Sequence, residues 1–462
     1  MITYSGEQQA IIDHISNNEG ILLVKAGAGC GKSFIAKQVV RELDLERVLY
    51  TSFNKAIVEE AKEKFEGMVV ECKTLHALAY RFTDPGKLQE FTYKDIPGTC
   101  YNVKSSVMET LNAFFLSAST DIYKFLEKRE VEEEVQDIAV KLIEEMAERK
   151  RPWTFSFMLK YFHLLLKEEE VSPEYSLVIL DEINDTTAVA LEIFRLLKTP
   201  NKLGLGEPDQ AIYEFMDLVD GFDYFSKEST LPLTHSFRCS KKIAFSLEVF
   251  MQASINSEFR FEGTDNPTRN GKTLRCTRTN SAVIANIQER LTLGKGFTLL
   301  RKPAEIFSCA LAVASASAGK KVYQKQYRYL EDVYSTWKNE RGSSAFFTYL
   351  KQKIKDQEVH SAVTLLLRLS QLKVNIFSLY KAVKEHKIDP DYCIATVFTA
   401  KGLEYQTVYI DNDLNNATAK AIGNIRNNHQ WKKDAKSIAE VRMYYVACSR
   451  CGVDLLNAEH LR

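Results

Sequence analysis

Short apolar runs alternate with helical patterns along the first 80 residues. The runs at Gly20–Lys25, Arg47–Ser52 and Met68–Cys72 have the length and composition of buried strands. Strands that alternate with helices are typical of an open parallel sheet with helices on its faces. The beginning of the chain therefore predicts an α/β domain.

The pattern changes between residues 81 and 172, where no clear strand run occurs. Amphipathic, charge-rich stretches such as 122–150 indicate helices that expose one charged face to water. Apolar runs return at Tyr175–Asp181 and Lys202–Gly206, with a predicted helix, Thr187–Leu197, between them. We interpret the middle block as a helical insertion in the first α/β core.

A second series of strands begins after residue 230. The predicted strands are Thr273–Arg278, Phe297–Arg301, Lys321–Gln324, Tyr392–Phe398, Thr407–Ile410 and Val453–Leu456. The predicted fold class is thus α/β, with two parallel-sheet domains that are each interrupted by a helical insertion. The predicted boundaries are 1–80 with 173–229 for the first core, 81–172 for its insertion, 230–326 with 388–462 for the second core, and 327–387 for its reduced insertion.

A glycine-rich turn joins the first strand to the next helix within the sequence GILLVKAGAGCGKSFIA. Glycine lets the backbone take positive φ and turn its N–H groups toward a phosphate. Lys32 can then reach the β- and γ-phosphates, the Ser33 hydroxyl can ligate Mg²⁺, and the helix directs its positive end at the anion. The predicted phosphate loop comprises Ala26, Gly27, Ala28, Gly29, Cys30, Gly31, Lys32 and Ser33, with Ala26 where the strict pattern has glycine.

Two later segments supply candidate partners for this loop. In VILDEIND, Asp181 ends an apolar strand and can hold Mg²⁺ directly or through water, and Glu182 can take a proton from the attacking water. In GEPDQAIYEF, Gln210 is an amide that can contact the γ-phosphate or the water. Tyr213 and Phe215 in the same segment can stack on bases, although such aromatic residues more often lie in a core.

Charge and cysteine content restrict the class of protein. Lys and Arg number 61, as do Asp and Glu, so the chain is not a globally basic nucleic-acid binder, although a local groove can still be basic. Nine scattered cysteines are typical of a reducing interior rather than a disulfide framework. Cys448 and Cys451 form a lone CxxC, which we interpret as two incidental buried residues rather than a redox pair. Without a charged leader or a run of 18 apolar residues, we expect a soluble, intracellular protein that does not contact a membrane.

Seven motifs, in order over most of the chain, resemble those of superfamily 1 DNA helicases of the UvrD/Rep type. They are YSGEQQAII, the phosphate loop, VILDEIND, GEPDQAIY, LTHSFRCS, TVFTAKGLEY and VRMYYVACSR. By this resemblance Gln8 reads adenine, Arg238 reaches the γ-phosphate from the second core, and Arg450 is the arginine finger. Glu404 joins the nucleotide-binding set from the segment that couples nucleic acid to nucleotide. The resemblance implies two RecA-like motor domains that use ATP and Mg²⁺.

The resemblance also implies contacts with nucleic acid. The segments SFNKA and CKTLHALA would cross the strand through Asn54, Thr74 and His76, and TVFTAKGLEY would contribute Thr396 and Phe398. A lone histidine is more often structural, but the motif around His76 favours a contact.

Several positions depart from the family's pattern. Asn184 is a shorter amide in the DEAQD-like segment, Glu207 stands where Asp usually follows glycine, and Phe398 replaces a common histidine. Most of these changes keep the chemical type. We therefore expect a working but divergent motor, whose grip on the strand and coupling differ most from the family.

The function predicted from these features is an ATP-dependent translocase and helicase that acts on single-stranded DNA, and the resemblance to the family implies movement from 3′ to 5′. Its expected partner is single-stranded DNA or a junction of single and double strands. One alternative is a nucleic-acid-binding regulatory subunit that uses ATP as a switch, against which the intact Glu182 and Arg450 argue. A second alternative is an RNA motor, because nothing in the sequence distinguishes ribose from deoxyribose.

Overall fold

The computed structural model describes residues 4–52, 54–92, 94–97, 100–212, 218–340, 345–427 and 434–461. The chain divides into two compact units, Met1–Thr234 and His235–Arg462. Each unit is built around a parallel sheet with helices, which confirms the predicted α/β fold class and is consistent with RecA-like domains.

A six-stranded sheet forms the centre of the first unit. Its strands are β1 (Gly20–Ala26), β2 (Val48–Ser52), β3 (Val70–Thr74), β4 (Leu177–Asp181), β5 (Asn201–Gly206) and β6 (Ser229–Leu233). They lie in the order β3-β2-β4-β5-β1-β6, and every neighbouring pair is parallel. Because all strands run in one direction, their carboxyl ends meet at one edge, which we call the carboxyl edge of the first unit.

Helices surround this sheet. They are α1 (Gly6–Asn17), α2 (Lys32–Glu42), α3 (Lys55–Lys64), α4 (Leu75–Thr83), α5 (Tyr101–Leu116), α6 (Ile122–Glu127), α7 (Glu133–Ala147), α8 (Phe155–Lys167), α9 (Ala188–Leu196) and α10 (Gly221–Tyr224), with a 3-10 turn at Pro208–Gln210. The side chains of Asn54, Thr74, Thr154 and Thr187 cap α3, α4, α8 and α9 by accepting hydrogen bonds from backbone N–H groups of the first turn. Local capping chemistry therefore fixes where these helices begin.

The helices between residues 81 and 172 share one hydrophobic core with the sheet. Phe157 and Phe162 of α8 are buried in the same cluster as Val178 of β4 and Phe194 of α9. These helices therefore pack directly against the sheet layer. Their assignment as an inserted domain remains a proposal.

The strand at the predicted boundary between the two cores, β6, belongs to the first sheet. It pairs with β1, and the first unit ends at Thr234 rather than at residue 229. Of its five residues only Leu233 is fully buried, and Pro232 cannot donate to a sheet ladder. Such a weak apolar run gives little signal in the sequence, although proline is compatible with an edge strand.

Lys160 is a buried ammonium in the core of the first unit. It lies on α8, is 1% exposed, and donates to the carbonyls of Ser117 (2.7 Å) and Ser119 (2.6 Å). Burial lowers its pKa from 10.5 to about 7, against an opposing effect of the Glu192 carboxylate. Next to it, His163 is also buried, and burial lowers its pKa to about 4.

We expect the stability of the first unit to rise with pH above 7 because of Lys160. Between the folded pKa of about 7 and the unfolded 10.5, the unfolded chain binds more protons, so the free energy of unfolding increases with pH. The slope from one such group is at most about 1.4 kcal/mol per pH unit. Urea unfolding at pH 7 and pH 9 should give a smaller pH slope for Lys160→Met than for wild type. Equal slopes for the two proteins would contradict the assignment.

The second unit contains a five-stranded parallel sheet and a separate strand pair. The strands are β7 (His235–Ser240), β8 (Glu262–Thr264), β9 (Thr273–Thr277), β10 (Thr298–Leu299), β11 (Tyr392–Thr396), β12 (Tyr405–Ile410) and β13 (Cys451–Leu456). The large sheet has the order β10-β11-β9-β12-β13, and β7 pairs with β8. The carboxyl ends of the five strands in the large sheet define the carboxyl edge of the second unit. The amino ends of β12 and β13 lie at the opposite edge of this sheet.

The strand predicted at Lys321–Gln324 is wrong. This segment is irregular, and the backbone N–H of Val322 donates to the Glu331 carboxylate at 2.5 Å instead of to a neighbouring strand. Val322 is buried between the exposed residues Lys321 and Tyr323. The alternation of exposed and buried residues resembles a strand, but one buried side chain is enough to produce it.

Helices complete the second unit. They are α11 (Lys241–Ser254), α12 (Asn280–Thr292), α13 (Pro303–Ile306), α14 (Ser308–Ser317), α15 (Tyr329–Glu340), α16 (Phe346–Lys353), α17 (Gln357–Gln371), α18 (Ile376–Lys384), α19 (Val397–Ala400), α20 (Asn412–Asn427) and α21 (Ala435–Cys448). The helices from α14 to α18 form one core with α12 and with Ile394 of β11. The helices between residues 327 and 387 therefore share a core with the sheet. The helices between residues 81 and 172 pack in the same way in the first unit.

Within the described ranges no single helix has the length and apolar character to cross a bilayer; α17 and α18 meet that test only when joined, and they are bent 93° from each other. All nine cysteines are free thiols, and Cys448 and Cys451 are buried. The interpretation of this CxxC as two buried residues agrees with their placement.

Candidate functional site

The predicted phosphate loop lies at the carboxyl edge of the first unit, between β1 and α2. Gly29 has φ +71° and Gly31 has φ +86°, a conformation that other residues rarely adopt. The Gly27 N–H donates to the carbonyl of Leu233 at 2.9 Å, which ties the loop to β6. Gly31 is the N-cap of α2 and has no side chain, so the first N–H groups of this helix receive no side-chain cap. The loop and helix terminus therefore form a suitable site for a phosphate group.

Lys32 forms an ion pair with Glu182 across the carboxyl edge. The Nζ atom lies 2.9 Å from Oε1 of Glu182, and both side chains are largely buried. Burial alone would lower the pKa of Lys32, but the carboxylates of Glu182, Asp181 and Glu207 outweigh it and raise the pKa above its ordinary value. Lys32 is therefore a permanent cation, and a nucleotide phosphate would compete with Glu182 for it.

Glu182 has an unusual backbone conformation. Its φ of +57° is in the left-handed region, which a residue without special side-chain chemistry rarely occupies. The turn that follows β4 is held by hydrogen bonds from the N–H of Ile183 to Leu205 and from the N–H of Asp185 to Glu182. Other non-glycine residues such as Asp44 and Arg149 also have positive φ, so this conformation fixes the path of the chain after β4 and does not by itself assign a role to Glu182.

The two predicted metal ligands, Ser33 and Asp181, both have oxygen atoms suited to Mg²⁺. Asp181 is 5% exposed and accepts hydrogen bonds from the Glu182 N–H (2.9 Å) and the Tyr50 hydroxyl. Burial and the neighbouring Glu182 raise the pKa of Asp181, although Lys32 opposes this. The Ser33 hydroxyl accepts a hydrogen bond from Nζ of Lys64 at 3.1 Å. A divalent cation would satisfy the buried negative charge, so the residues present fit Mg²⁺.

The segment that follows β5 places Gln210 just beyond the carboxyl end of that strand. Gln210 is buried in the 3-10 turn, and its N–H donates to the carbonyl of Glu207 at 2.8 Å. The N–H of Glu207 donates to Oδ1 of Asn184 at 2.7 Å. A Cβ on Gly206 would lie 2.6 Å from the same Asn184 oxygen, so a larger residue there would displace the Asn184 side chain. Asn184, one of the departures from the family's pattern, thus holds the Gln210 segment against the turn after β4.

Gln8 lies in the first turn of α1, and its amide takes part in a capping box with Ser5. Its Oε1 accepts from the Ser5 N–H at 3.0 Å, and its N–H donates to the Ser5 hydroxyl at 3.2 Å. Neighbouring Glu7 accepts hydrogen bonds from the N–H (2.9 Å) and hydroxyl (2.7 Å) of Thr234. The start of α1 is therefore anchored beside the end of β6, and the contact of Gln8 with adenine remains a prediction.

The nucleic-acid candidates of the first unit lie on the same edge. Thr74 is level with Ser52, which is level with Asp181, so the ends of β3, β2 and β4 are aligned. Asn54 is exposed and caps α3, and Thr74 caps α4. Capping accounts for one acceptor on each side chain and leaves a nucleic-acid contact as a prediction. The stacking candidates Tyr213 and Phe215 lie outside the described residues.

His76 stands beside an exposed aromatic side chain. Its ring lies edge-on to Phe155 with centroids 6.4 Å apart, and Phe155 is 53% exposed. Burial lowers the pKa of His76, which favours the neutral imidazole. An uncharged, partly buried imidazole is suited to hydrogen bonding or stacking rather than to a phosphate charge.

In the second unit, Arg238 and Glu404 are brought together. Nε of Arg238 lies 3.3 Å from Oε2 of Glu404, and Nη1 donates to the carbonyl of Ser449 at 3.2 Å. Arg450, the residue after Ser449, is 2% exposed, and its Nε donates to the carbonyl of Val446 at 3.0 Å. These three predicted nucleotide contacts therefore form one cluster beside the amino ends of β12 and β13.

Thr396 and Phe398 lie at the opposite edge of the same sheet. Thr396 ends β11 level with Thr277 and caps α19, whereas Tyr405 opens β12 level with Cys451. The segment 397–404 therefore runs from the carboxyl edge back to the amino edge. It connects the predicted nucleic-acid contacts at one end with Glu404 at the other.

Tyr50 and Lys64 were not predicted as site residues. Tyr50 lies inside an apolar strand and Lys64 at the end of an amphipathic helix, and neither position belongs to a motif. Their contacts with Asp181 and Ser33 depend on the packing of β2 and α3 against β4 and α2. No local pattern in the sequence marks such contacts.

The sequence of this chain is similar to those of known proteins. Residues 8–216 match the AAA domain family. The chain is 25% identical over 472 residues to F-box DNA helicase 1 of Gallus gallus, which covers 88% of this chain and 44% of that protein. It is 25% identical over 285 residues to F-box DNA helicase protein 1 of Schizosaccharomyces pombe, which covers 52% of this chain and 32% of that protein. These similarities support a superfamily 1 helicase.

The chain aligns with less than half the length of either relative. The AAA match begins at Gln8 and includes the phosphate loop, Asp181, Glu182 and Gln210. The part of the chain that carries the candidate phosphate site is thus the part that the family match covers.

Proposed function

We propose that this protein is an ATP-dependent DNA translocase and helicase of the UvrD/Rep type, which moves 3′ to 5′ along single-stranded DNA and unwinds duplex. The observation that carries the proposal is the cluster of Lys32, Asp181 and Glu182 at the carboxyl edge, beside a phosphate loop with the required glycine conformations. The similarity to DNA helicases supports the choice of nucleic acid as the partner.

Each residue of the first unit has a defined task in this proposal. The phosphate loop and Lys32 bind the β- and γ-phosphates, and Lys32 exchanges its Glu182 partner for phosphate oxygens. Glu182, once released, accepts a proton from the attacking water, and Gln210 orients that water. Ser33 and Asp181 would hold Mg²⁺, which would supply charge neutralisation at the phosphates.

The second unit is proposed to complete the reaction when ATP is bound. Arg238 and Arg450 would then reach the γ-phosphate, where guanidinium groups stabilise the charge of phosphoryl transfer. Glu404 accepts a hydrogen bond from Arg238 and is proposed to hold it in position. Loss of the γ-phosphate would release this clamp, so each turnover would include one closing and one opening.

Coupling to nucleic acid is proposed through both carboxyl edges. Asn54, Thr74 and His76 would grip the strand on the first unit, and Thr396 and Phe398 on the second, through stacking and phosphate contacts. The segment 397–404 would transmit closure between Glu404 and these contacts. The single strand would thus move with each cycle of ATP hydrolysis.

ATP turnover with different nucleic acids tests the proposal. We expect strong stimulation by oligo-dT and little by oligo-U. Lys32→Ala should reduce turnover by about 10²–10³-fold, because a cation at the transferred phosphate is lost. Lys167→Ala, an exposed lysine at the end of α8, is the matched control and should retain turnover. Stimulation by oligo-U alone would favour an RNA motor, and absence of wild-type turnover would favour an ATP switch.

Direction requires a separate measurement. Duplexes with a 3′ or a 5′ single-stranded tail distinguish the two polarities, because a motor that loads on the tail reaches the duplex from only one of them. We expect unwinding of the 3′-tailed substrate. Preferential unwinding of the 5′-tailed substrate would contradict the proposed polarity while leaving the ATPase assignment intact.

A further inference from the structure

Tyr50 is a buried tyrosine that touches the predicted metal site but belongs to no motif. It lies in the middle of β2, is 1% exposed, and its hydroxyl donates to Oδ2 of Asp181. β2 neighbours β4 in the sheet, and Tyr50 is level with Ile179, two residues before Asp181. Because alternate residues share one face, Tyr50 and Asp181 project to the same side of the sheet.

The ring of Tyr50 packs against the carboxyl end of α3. Phe65, which caps the carboxyl end of that helix, has its ring centroid 5.2 Å from that of Tyr50 at an angle of 51°. Phe65 is 3% exposed, so the pair is part of a packed interior. This packing fixes the position of the phenol ring. A fixed ring allows the hydroxyl to make a precise hydrogen bond to the carboxylate.

Asp181 is thus bonded at both carboxylate oxygens. Oδ1 accepts from the Glu182 N–H at 2.9 Å, and Oδ2 accepts from Tyr50. An ionised carboxylate has about four lone-pair sites, so these two bonds leave capacity for a metal ion or its water. Two fixed donors prevent rotation of the carboxylate, so the remaining lone pairs keep one direction.

We propose that Tyr50 is a positioning residue for the binding of Mg²⁺. Its hydroxyl aligns the Asp181 carboxylate for the ion, and Tyr50 itself contacts neither nucleotide nor metal. The inference rests on the proposed function, because it assumes that Asp181 serves a nucleotide-bound Mg²⁺. Hydrogen-bond partners of metal ligands orient those ligands, and their loss costs about 10–100-fold in metal affinity. A tyrosine that only filled the core would have no such effect.

Tyr50→Phe removes the hydroxyl and keeps the ring. The measurement is the binding of a fluorescent ATP analogue, first in EDTA and then across a Mg²⁺ titration. We expect unchanged affinity in EDTA, because the phosphate loop and Lys32 are intact. The Mg²⁺ concentration for half-maximal enhancement of binding should rise about tenfold.

Tyr224→Phe is the matched control. Tyr224 also donates to a carboxylate, Glu192, at 2.5 Å, and neither residue belongs to the predicted site. The control should leave the Mg²⁺ titration unchanged, whatever it does to the midpoint of thermal unfolding. In an Asp181→Ala background, Tyr50→Phe should cause no further change, since its effect acts through Asp181.

Phe65→Leu provides a second variant that keeps the hydroxyl and loosens the ring. It should raise the Mg²⁺ requirement in the same direction by a smaller factor. An unchanged Mg²⁺ requirement in folded Tyr50→Phe, or in Phe65→Leu if the first variant does not fold, would overturn the proposal. Failure of the wild type to bind the ATP analogue at all would instead overturn the proposed function, so the two failures are distinguishable.

Discussion

Replacing Glu182 with glutamine is expected to abolish ATP turnover while ATP binding persists. The amide is nearly isosteric and can still accept a hydrogen bond from Lys32, but it cannot take a proton from water. Loss of a general base costs about 10²–10⁴-fold in rate. The turnover number and the affinity for a fluorescent ATP analogue, measured on the same protein, check the two parts of this expectation.

The ion pair between Lys32 and Glu182 adds a second expectation for this variant. The phosphate must displace the Glu182 carboxylate from Nζ of Lys32, which lies 2.9 Å away. A neutral amide competes less, so Glu182→Gln should bind ATP at least as tightly as wild type.

Glu71→Gln is a suitable control for Glu182→Gln. Glu71 also pairs with a lysine, Lys73 at 2.6 Å, but it lies on β3, one of the two edge strands of the first sheet. Its loss should leave turnover unchanged. Retained turnover in Glu182→Gln would remove the general-base role, and loss of turnover in both variants would indicate a structural rather than a chemical effect.

The phosphate loop and the acidic pair were predictable because each is encoded in one continuous segment. An apolar run, a glycine-rich turn and the sequence GKS specify β1, the loop and α2 without reference to the rest of the chain. Asp181 ends β4, and in a parallel sheet the carboxyl ends of neighbouring strands share one edge. Order in the sequence and one rule of topology were therefore enough to bring these residues together.

Contacts that depend on packing between elements were not predictable in the same way. Tyr50 reaches Asp181 only because β2 lies beside β4, although 131 positions separate the two residues in sequence. Lys64 reaches Ser33 because α3 packs near α2. Tyrosine in an apolar strand and lysine at a helix end are ordinary residues, so no pattern distinguishes them.

Edge elements limited the fold prediction for a related reason. β6 has one fully buried residue and a proline, and it is recognisable as a strand only through its pairing with β1. The segment Lys321–Gln324 has the opposite property, since it looks like a strand but pairs with the Glu331 side chain. In both segments the hydrogen-bond partner decides the structure, and a sequence pattern does not specify that partner.

Removing the Arg450 side chain is expected to reduce nucleic-acid-stimulated ATP turnover on the order of 10³-fold if it acts as the arginine finger. Arg450 is 2% exposed and donates to Val446 and Ser449, so these hydrogen bonds fix its guanidinium within its own unit. Arg450→Ala removes the cation, whereas Arg450→Lys keeps the charge but loses the planar fork of donors. We expect both variants to lose turnover, the lysine variant by less, with ATP binding retained.

Because Arg450 is buried, its loss also removes structural hydrogen bonds, and a matched variant must separate the two effects. Arg290 in the same unit likewise donates through Nε to a backbone carbonyl, that of Gly296 at 3.1 Å, and is remote from the predicted site residues in sequence. Arg290→Ala should lower the thermal midpoint of the second unit without lowering turnover. If Arg450→Ala lost stability but turned over ATP at the wild-type rate, Arg450 would be a structural residue, and the second unit's part in hydrolysis would have to come from Arg238.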